Sequence, residues 1–222
     1  MKTIAFFDVD GTLVNGYTGY YASVELIRRK IIKKRRLPLA LLYRALSAVF
    51  FIKDVAKMYE VALQDLAGTR VEEIMAIGQL VFERDVKKLV YQEGLGLIKQ
   101  HQNAGNQVVL ISSGPYLVIK ALEKFVGANT SFSIGPQIEN GILQKKLDLP
   151  IAYMEGKRQL AERYAKSQGL NLEDCSHYAD TRHDLPLLEA VGQPHLVNPD
   201  ASFTRLAERR SWPVLRFKTM LG

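Results

Sequence analysis

The chain has a single cysteine, Cys175, so no intrachain disulfide can brace it. A reducing, cytoplasmic setting is the expectation that follows, with Cys175 read as a small core residue entering a strand. Long apolar runs are also missing. A membrane span needs ~18 apolar residues, and the nearest stretch, Leu37 to Ile52, is interrupted by Pro38 and Arg44. The apolar run Ile4-Ala5-Phe6-Phe7 stops at Asp8, too short for the apolar region of an export signal. There is no internal repeat and no low-complexity tract. Histidine is scarce, and His101, His177, His183 and His195 do not fall at metal-ligand spacing. His177 is expected to face the core or a neighbouring strand. Gly94 and Gly96 lack the preceding strand that a dinucleotide fingerprint requires.

What remains is an ordinary globular composition, 47% hydrophobic and 24% charged over 222 residues. That is enough for one α/β domain, or a core domain with a small insert. The net charge of +7 is local. Between Tyr21 and Lys57 ten Lys or Arg stand against Glu25 and Asp54, so this segment carries the whole excess.

Short apolar runs rich in strand formers recur: Thr3 to Phe7, Gln107 to Ile111, Ser131 to Ile134, Ser176 to Ala179 and His195 to Val197. Helical patterns fall between them, at 95–103, 116–125, 157–167 and 185–191, with glycine stops at Gly127, Gly169 and Gly192. Strands alternating with helices predict a parallel sheet covered on both faces, with ligands beyond the carboxyl ends of the strands. Asn140-Gly141 predicts a tight hairpin turn. The stretch 16–92 breaks the alternation, with about four helical segments and no convincing strand. A helical insert, 16–92, within a core made of 1–15 and 93–222 accounts for it.

The chemistry-bearing residues sit at strand ends. Asp8 and Asp10 flank Val9 where the first strand stops. Two carboxylates this close repel each other, so a cation or a shared proton is expected beside them. Gly11 lets the backbone turn sharply there. A carboxylate can attack phosphorus to give an aspartyl-phosphate, and a second can protonate the leaving group and later deprotonate water. The plainer alternatives are an aspartate pair capping a solvated turn, Ser112 capping the next helix, Lys157 on a solvated helix face, and Asp184 as a helix cap.

The string Phe6-Phe7-Asp8-Val9-Asp10-Gly11-Thr12-Leu13 resembles the first motif of the haloacid dehalogenase (HAD) superfamily. Leu110-Ile111-Ser112-Ser113-Gly114 resembles the second, Glu155-Gly156-Lys157-Arg158 the third, and Tyr178-Ala179-Asp180-Thr181-Arg182-His183-Asp184 the fourth. The order is correct, and the likeness is greatest to the phosphoserine-phosphatase-like subfamily IB. The resemblance implies an α/β Rossmannoid core of strand order 3-2-1-4-5 with an all-helical cap. It implies a Mg²⁺-dependent phosphatase acting on a small phosphomonoester, or a phosphotransferase or mutase using the same intermediate. Asp8 would be nucleophile and metal ligand. Asp10 would be the general acid/base, with its carbonyl on the metal. Asp180 would complete the metal ligands with Asp184 in support. Ser112 and Lys157 would hold the phosphoryl oxygens, with Ser113 as the alternative serine. Mg²⁺ suits such oxygen donors, and clamping a phosphoryl group is mostly positioning and positive charge.

Substrate-pocket candidates are Tyr17 and Tyr20 at the start of the insert, Arg70, and His183 inside the fourth motif. Phosphoserine phosphatases carry a Glu seven residues after the second motif-one aspartate, where it reads the substrate amino group. Here that position is Tyr17. The basic residues from Arg28 to Arg36, followed by the apolar stretch to Ile52, have two readings. One is a solvated helix face beside a buried helix. The other is peripheral contact of residues 28–52 with an anionic membrane, and with it lysophospholipid-like substrates. Specific nucleic-acid recognition is not expected, because no nucleic-acid fold signature accompanies the charge.

Overall fold

The computed structural model describes residues 3–33 and 55–222. Residues 34–52, most of the segment considered above for membrane contact, lie outside the described residues. Among the described residues, no helix is long and apolar enough to cross a membrane.

Strand β1 (Ile4–Phe7) is buried along its whole length and lies at the middle of a parallel sheet. Its neighbours are β2 (Gln107–Pro115) and β6 (Ser176–Ala179). Beyond β2 lies β3 (Thr130–Ile134), and beyond β6 lie β7 (Gln193–Val197) and β8 (Val214–Leu215). In chain order the parallel strands run 3-2-1-4-5 as expected, with a sixth, β8, added at the edge. A separate hairpin, β4 (Pro136–Glu139) and β5 (Ile142–Leu147), turns at Asn140-Gly141, both with positive φ (51° and 75°). This is the geometry that a two-residue hairpin loop demands.

Strand periodicity sorts the core into two layers. Ala5, Phe7, Val108 and Leu110 face one cluster, shared with α4 (Gln92–Asn103) and α5 (Tyr116–Val126). Ile4, Phe6, Val109 and Ile111 face the other, closed by Ala161 and Ala165 of α6 (Glu155–Ser167). With both faces covered, the strands read as continuous apolar runs. Each fully buried Phe contributes about 1.5–3 kcal/mol. A smaller cluster packs α8 (Ala201–Arg209) on the far strands through Phe203 and Ala207. Two local expectations change. β2 continues through Ser112-Ser113-Gly114 to Pro115, because after a register shift Pro115 still pairs with Ile134. The helix after β6 is short: α7 spans only Leu185–Leu188, and the chain then tightens through turns to Val191.

The stretch between β1 and α4 holds α1 (Thr18–Arg28), α2 (Val55–Leu66), α3 (Val71–Val81), and a π turn and a 3₁₀ turn at 82–89. Helix α3 crosses α5 so closely that a Cβ on Gly78 would lie 2.0 Å from the Leu117 carbonyl oxygen. The buried Glu25 carboxylate joins α1 to the π turn. It accepts hydrogen bonds from Arg28 Nε and Nη2 (2.9 and 2.7 Å), Arg29 Nε (2.7 Å) and Arg84 Nη1 (3.1 Å). Backbone bonds tie the link between α2 and α3 to the hairpin. Gly68 N donates to Leu143 O, Leu143 N to Thr69 O, and Val71 N to Gly141 O, at 2.9–3.0 Å.

Candidate active site

The carboxyl ends of β2, β1 and β6 are adjacent in the sheet, so the loops after them open on one edge, where the strand order reverses. Asp8 continues the β1 pairing through its backbone N–H, which donates to Tyr178 O at 2.9 Å. The chain then folds tightly, with Val9 O accepting from the N–H groups of Thr12, Leu13 and Val14. Thr12 Oγ1 donates to Asp8 Oδ2 at 3.1 Å and lies 3.5 Å from Asp180 Oδ1. Gly11, at φ +84°, passes so near the fourth-motif loop that a Cβ there would meet Asp180 Oδ2 at 2.0 Å.

Lys157, in the first turn of α6, is 2% exposed, and its Nζ lies 2.6 Å from both Asp8 Oδ1 and Asp184 Oδ1. Carboxylate oxygens of Asp8, Asp180 and Asp184 all lie within 4.8 Å of one another. Asp184 Oδ1 also meets His177 Nε2 at 3.1 Å, while His177 Nδ1 lies 3.2 Å from Phe6 O. Burial raises the Asp8 carboxyl above its ordinary range, and Lys157 opposes the rise. Burial, with the charges of Asp8 and Asp184 behind it, lifts Asp180 to about 8. Burial would lift Asp184 as well, but Lys157 and His177 hold it at about 2. For Lys157, burial is outweighed by attraction to Asp184 and Asp8, so its ammonium is held firmly charged.

This arrangement fits a divalent cation. Three hard oxygen donors converge, Lys157 offsets only part of what lifts Asp180, and Gly11 lets the first-motif backbone pass close beside Asp180. Asp184, expected as a supporting residue, belongs to the carboxylate cluster itself.

Asp10 turns its side chain the other way. It accepts from Thr18 N at 2.9 Å and Thr18 Oγ1 at 3.1 Å, at the start of α1. Burial pushes its carboxyl up to about 7, against the pull of the Thr18 bonds and with help from the Asp8 charge. Ser112 is fully buried, and its Oγ accepts from Gly114 N at 2.9 Å, so its own proton is left to donate. Thr18 closes the gap between these groups, because a Cβ on Gly114 would lie 2.5 Å from Thr18 Oγ1 and 3.1 Å from Ser112 Oγ. The Ser113 carbonyl accepts from Tyr59 OH at 2.5 Å, a contact that brings α2 onto the second-motif end of β2.

A family model described as haloacid dehalogenase-like hydrolase matches residues 5–189. The chain belongs to the haloacid dehalogenase-like hydrolase family. Phosphoserine phosphatase SerB1 of Mycobacterium tuberculosis is 30% identical over 98% of this chain and 72% of its own length. The histidinol-phosphatase of Neisseria meningitidis is 27% identical over 98% of this chain and 100% of its own. Among solved structures, a Bordetella pertussis Tohama I protein of unknown function superposes with TM-score 0.84 at 22% identity, covering 97% of this chain and 99% of that one. A substrate-bound phosphoserine phosphatase superposes with TM-score 0.63 at 18% identity, over 97% and 93%. These structural likenesses establish the fold. Family and relatives together make this HAD-family hydrolase a phosphatase, phosphoserine-phosphatase-like in type.

The residues proposed for substrate selection are dispersed over this HAD phosphatase. Tyr17 and Tyr20, each 62% exposed, stand where α1 begins, one residue and two residues from Thr18. Tyr20 packs edge-on against Tyr21. Arg70 is exposed at the start of α3 and pairs through its backbone with Ile142, with no contact to the aspartates among the described residues. His183 is exposed, its ring 5.2 Å from that of Tyr153. Thr18, Tyr59 and His177 were not singled out for this site by the sequence. Tyr59 and His177 reach Ser113 and Phe6, 54 and 171 residues away, which only folding brings to them, and Thr18 lies eight residues past Asp10, outside the first-motif string.

Proposed function

We propose that this phosphatase hydrolyses a small phosphomonoester through an aspartyl-phosphate on Asp8. The observation that carries the reading is the buried Lys157 ammonium lying 2.6 Å from Asp8 and Asp184 beside a third carboxylate, Asp180. Asp8, Asp180 and Asp184, with the Asp10 backbone carbonyl, would hold Mg²⁺. When bound, that ion supplies positive charge against the phosphoryl oxygens.

An Asp8 carboxylate oxygen attacks phosphorus, the ester P–O bond breaks, and Asp10 gives its proton to the departing alkoxide. Asp10 then takes a proton from water as the water oxygen attacks phosphorus, which releases inorganic phosphate and regenerates the Asp8 carboxylate. A carboxyl with a pKa of about 7 suits both directions of transfer. Ser112 Oγ–H and Lys157 hold the non-bridging oxygens. The helical insert, 16–92, would act as a cap that selects substrate. Tyr17 at the position of the amine-reading Glu removes one carboxylate that phosphoserine recognition uses, so the substrate class is taken as small phosphomonoesters at large.

The test is a screen of purified protein over amino-acid phosphates, sugar phosphates, nucleotides, lysophospholipids and an aryl phosphate, with and without Mg²⁺. Release of inorganic phosphate, dependent on Mg²⁺ and lost in Asp8→Asn, is expected. Inactivity over the whole panel would overturn the reading. Phosphate delivered to an added alcohol in place of water would replace hydrolysis by transfer.

A further inference from the structure

His177 lies in the middle of β6 with none of its surface exposed, yet neither of its ring nitrogens faces an apolar group. Nδ1 points at the Phe6 carbonyl oxygen at 3.2 Å, an atom that only accepts hydrogen bonds. Nε2 points at Asp184 Oδ1 at 3.1 Å, the same oxygen that receives Lys157 Nζ at 2.6 Å. The ring is therefore a strut. One end rests on β1 two residues before Asp8, and the other rests on the loop that carries Asp184.

Asp184 needs such a strut. It ends a 3₁₀ turn of three residues and its side chain makes no cap bond. Lys157 alone cannot fix the plane of the carboxylate, because an ammonium on a flexible stem is a point charge, and this one is shared with Asp8. A planar imidazole held between the Phe6 carbonyl and Asp184 does set a direction for the Nε2–H bond. We infer that His177 is a positioning residue that fixes the Asp184 carboxylate within the three-aspartate cluster through the Nε2–H donor. The inference rests on the proposed reading of that cluster as a divalent-cation site.

The experiment is a titration of metal-free protein with Mn²⁺, followed by electron paramagnetic resonance, for the wild type and for Asp184→Asn, His177→Leu, His177→Asn and His177→Gln. A Gln amide reaches the place of Nε2, whereas an Asn amide reaches only the place of Nδ1. Groups that orient metal ligands from behind typically account for about 10–100-fold in affinity, so His177→Leu and His177→Asn are expected to weaken Mn²⁺ by that factor. His177→Gln is expected to stay within about threefold of wild type on the same scale. At saturating metal, kcat follows the same order while KM for an aryl phosphate stays constant. Thermal melts confirm that the variants fold, and if the Leu variant does not, the Asn and Gln pair still isolates the donor.

Equal affinity in all three His177 variants overturns the inference, as does a Gln variant no better than Asn. If Asp184→Asn loses Mn²⁺ while the His177 variants retain it, only the strut fails. If the wild type binds no Mn²⁺, the cation reading fails and the strut falls with it.

Discussion

Gly11 and Asp180, far apart in sequence, meet at a distance that excludes any side chain: a Cβ on Gly11 would stand 2.0 Å from Asp180 Oδ2. The φ of +84° adds a second penalty for any other residue, about 1–2 kcal/mol. Gly11→Ala must push either the first-motif loop or Asp180 out of place. A displacement near 1 Å costs about 100-fold in rate. We expect a loss of that size in kcat/KM, together with weaker Mn²⁺ binding, measured side by side on the same preparation.

Lys157→Met leaves Asp8 and Asp184 buried without their shared ammonium. Breaking a buried charge pair from one side destabilises by about 3–5 kcal/mol. Urea unfolding of the metal-free protein should show a drop in that range, and the added divalent ion should recover part of it. A variant as stable as wild type without metal would mean that the pair contributes little to the fold.

Glu25 gives a pH signature remote from the carboxylate cluster. Hydrogen bonds from Arg28 chiefly, against the opposing effect of burial, and then from Arg29 and Arg84, lower its pKa from 4.5 to about 2. Between those values the unfolded chain binds more protons at this position than the folded one, so stability rises with pH there. The contribution is complete above about 4.5 and is lost as pH falls towards 2. Glu25→Gln should flatten this part of the curve. Stability measured by urea at pH 3, 4, 5 and 6 checks it, and identical slopes in both proteins would refute the assignment.

Tyr59→Phe deletes the hydroxyl that reaches Ser113 O at 2.5 Å. The expected loss of stability is about 1 kcal/mol, the usual net value of one hydrogen bond. The second-motif end of β2 also loses its tie to α2, so KM for the preferred substrate should rise more than kcat falls. Steady-state kinetics on the best substrate of the panel measures the split.

The motif strings were readable because each lies at the end of an apolar strand, where the pattern breaks into Asp, Ser and Gly. Phe7 to Asp8, Ile111 to Ser112 and Ala179 to Asp180 are all such breaks. The hairpin was readable for the same kind of reason, since Asn140-Gly141 is local turn chemistry. His177 and Tyr59 were not readable. Their partners, Phe6 and Ser113, lie 171 and 54 residues away, and a buried histidine or tyrosine looks alike in sequence whatever it touches. The edge strand β8 escaped because two residues carry no alternation to detect. The polar cluster Ser112-Ser113-Gly114-Pro115 ended the predicted β2 at Ile111, because such residues mark turns in sequence, whereas pairing of Pro115 with Ile134 carries the strand through it.

The backbone bonds between 68–71 and 141–143 redraw the seam between the helices and the main sheet. Chain order assigns residues 136–147 to the main body, yet the hairpin they form is stitched to the α2–α3 link. Anyone transplanting the helices onto a related scaffold to change substrate preference would have to move both pieces. Carrying over only the earlier segment would strand three amide–carbonyl partnerships across the graft.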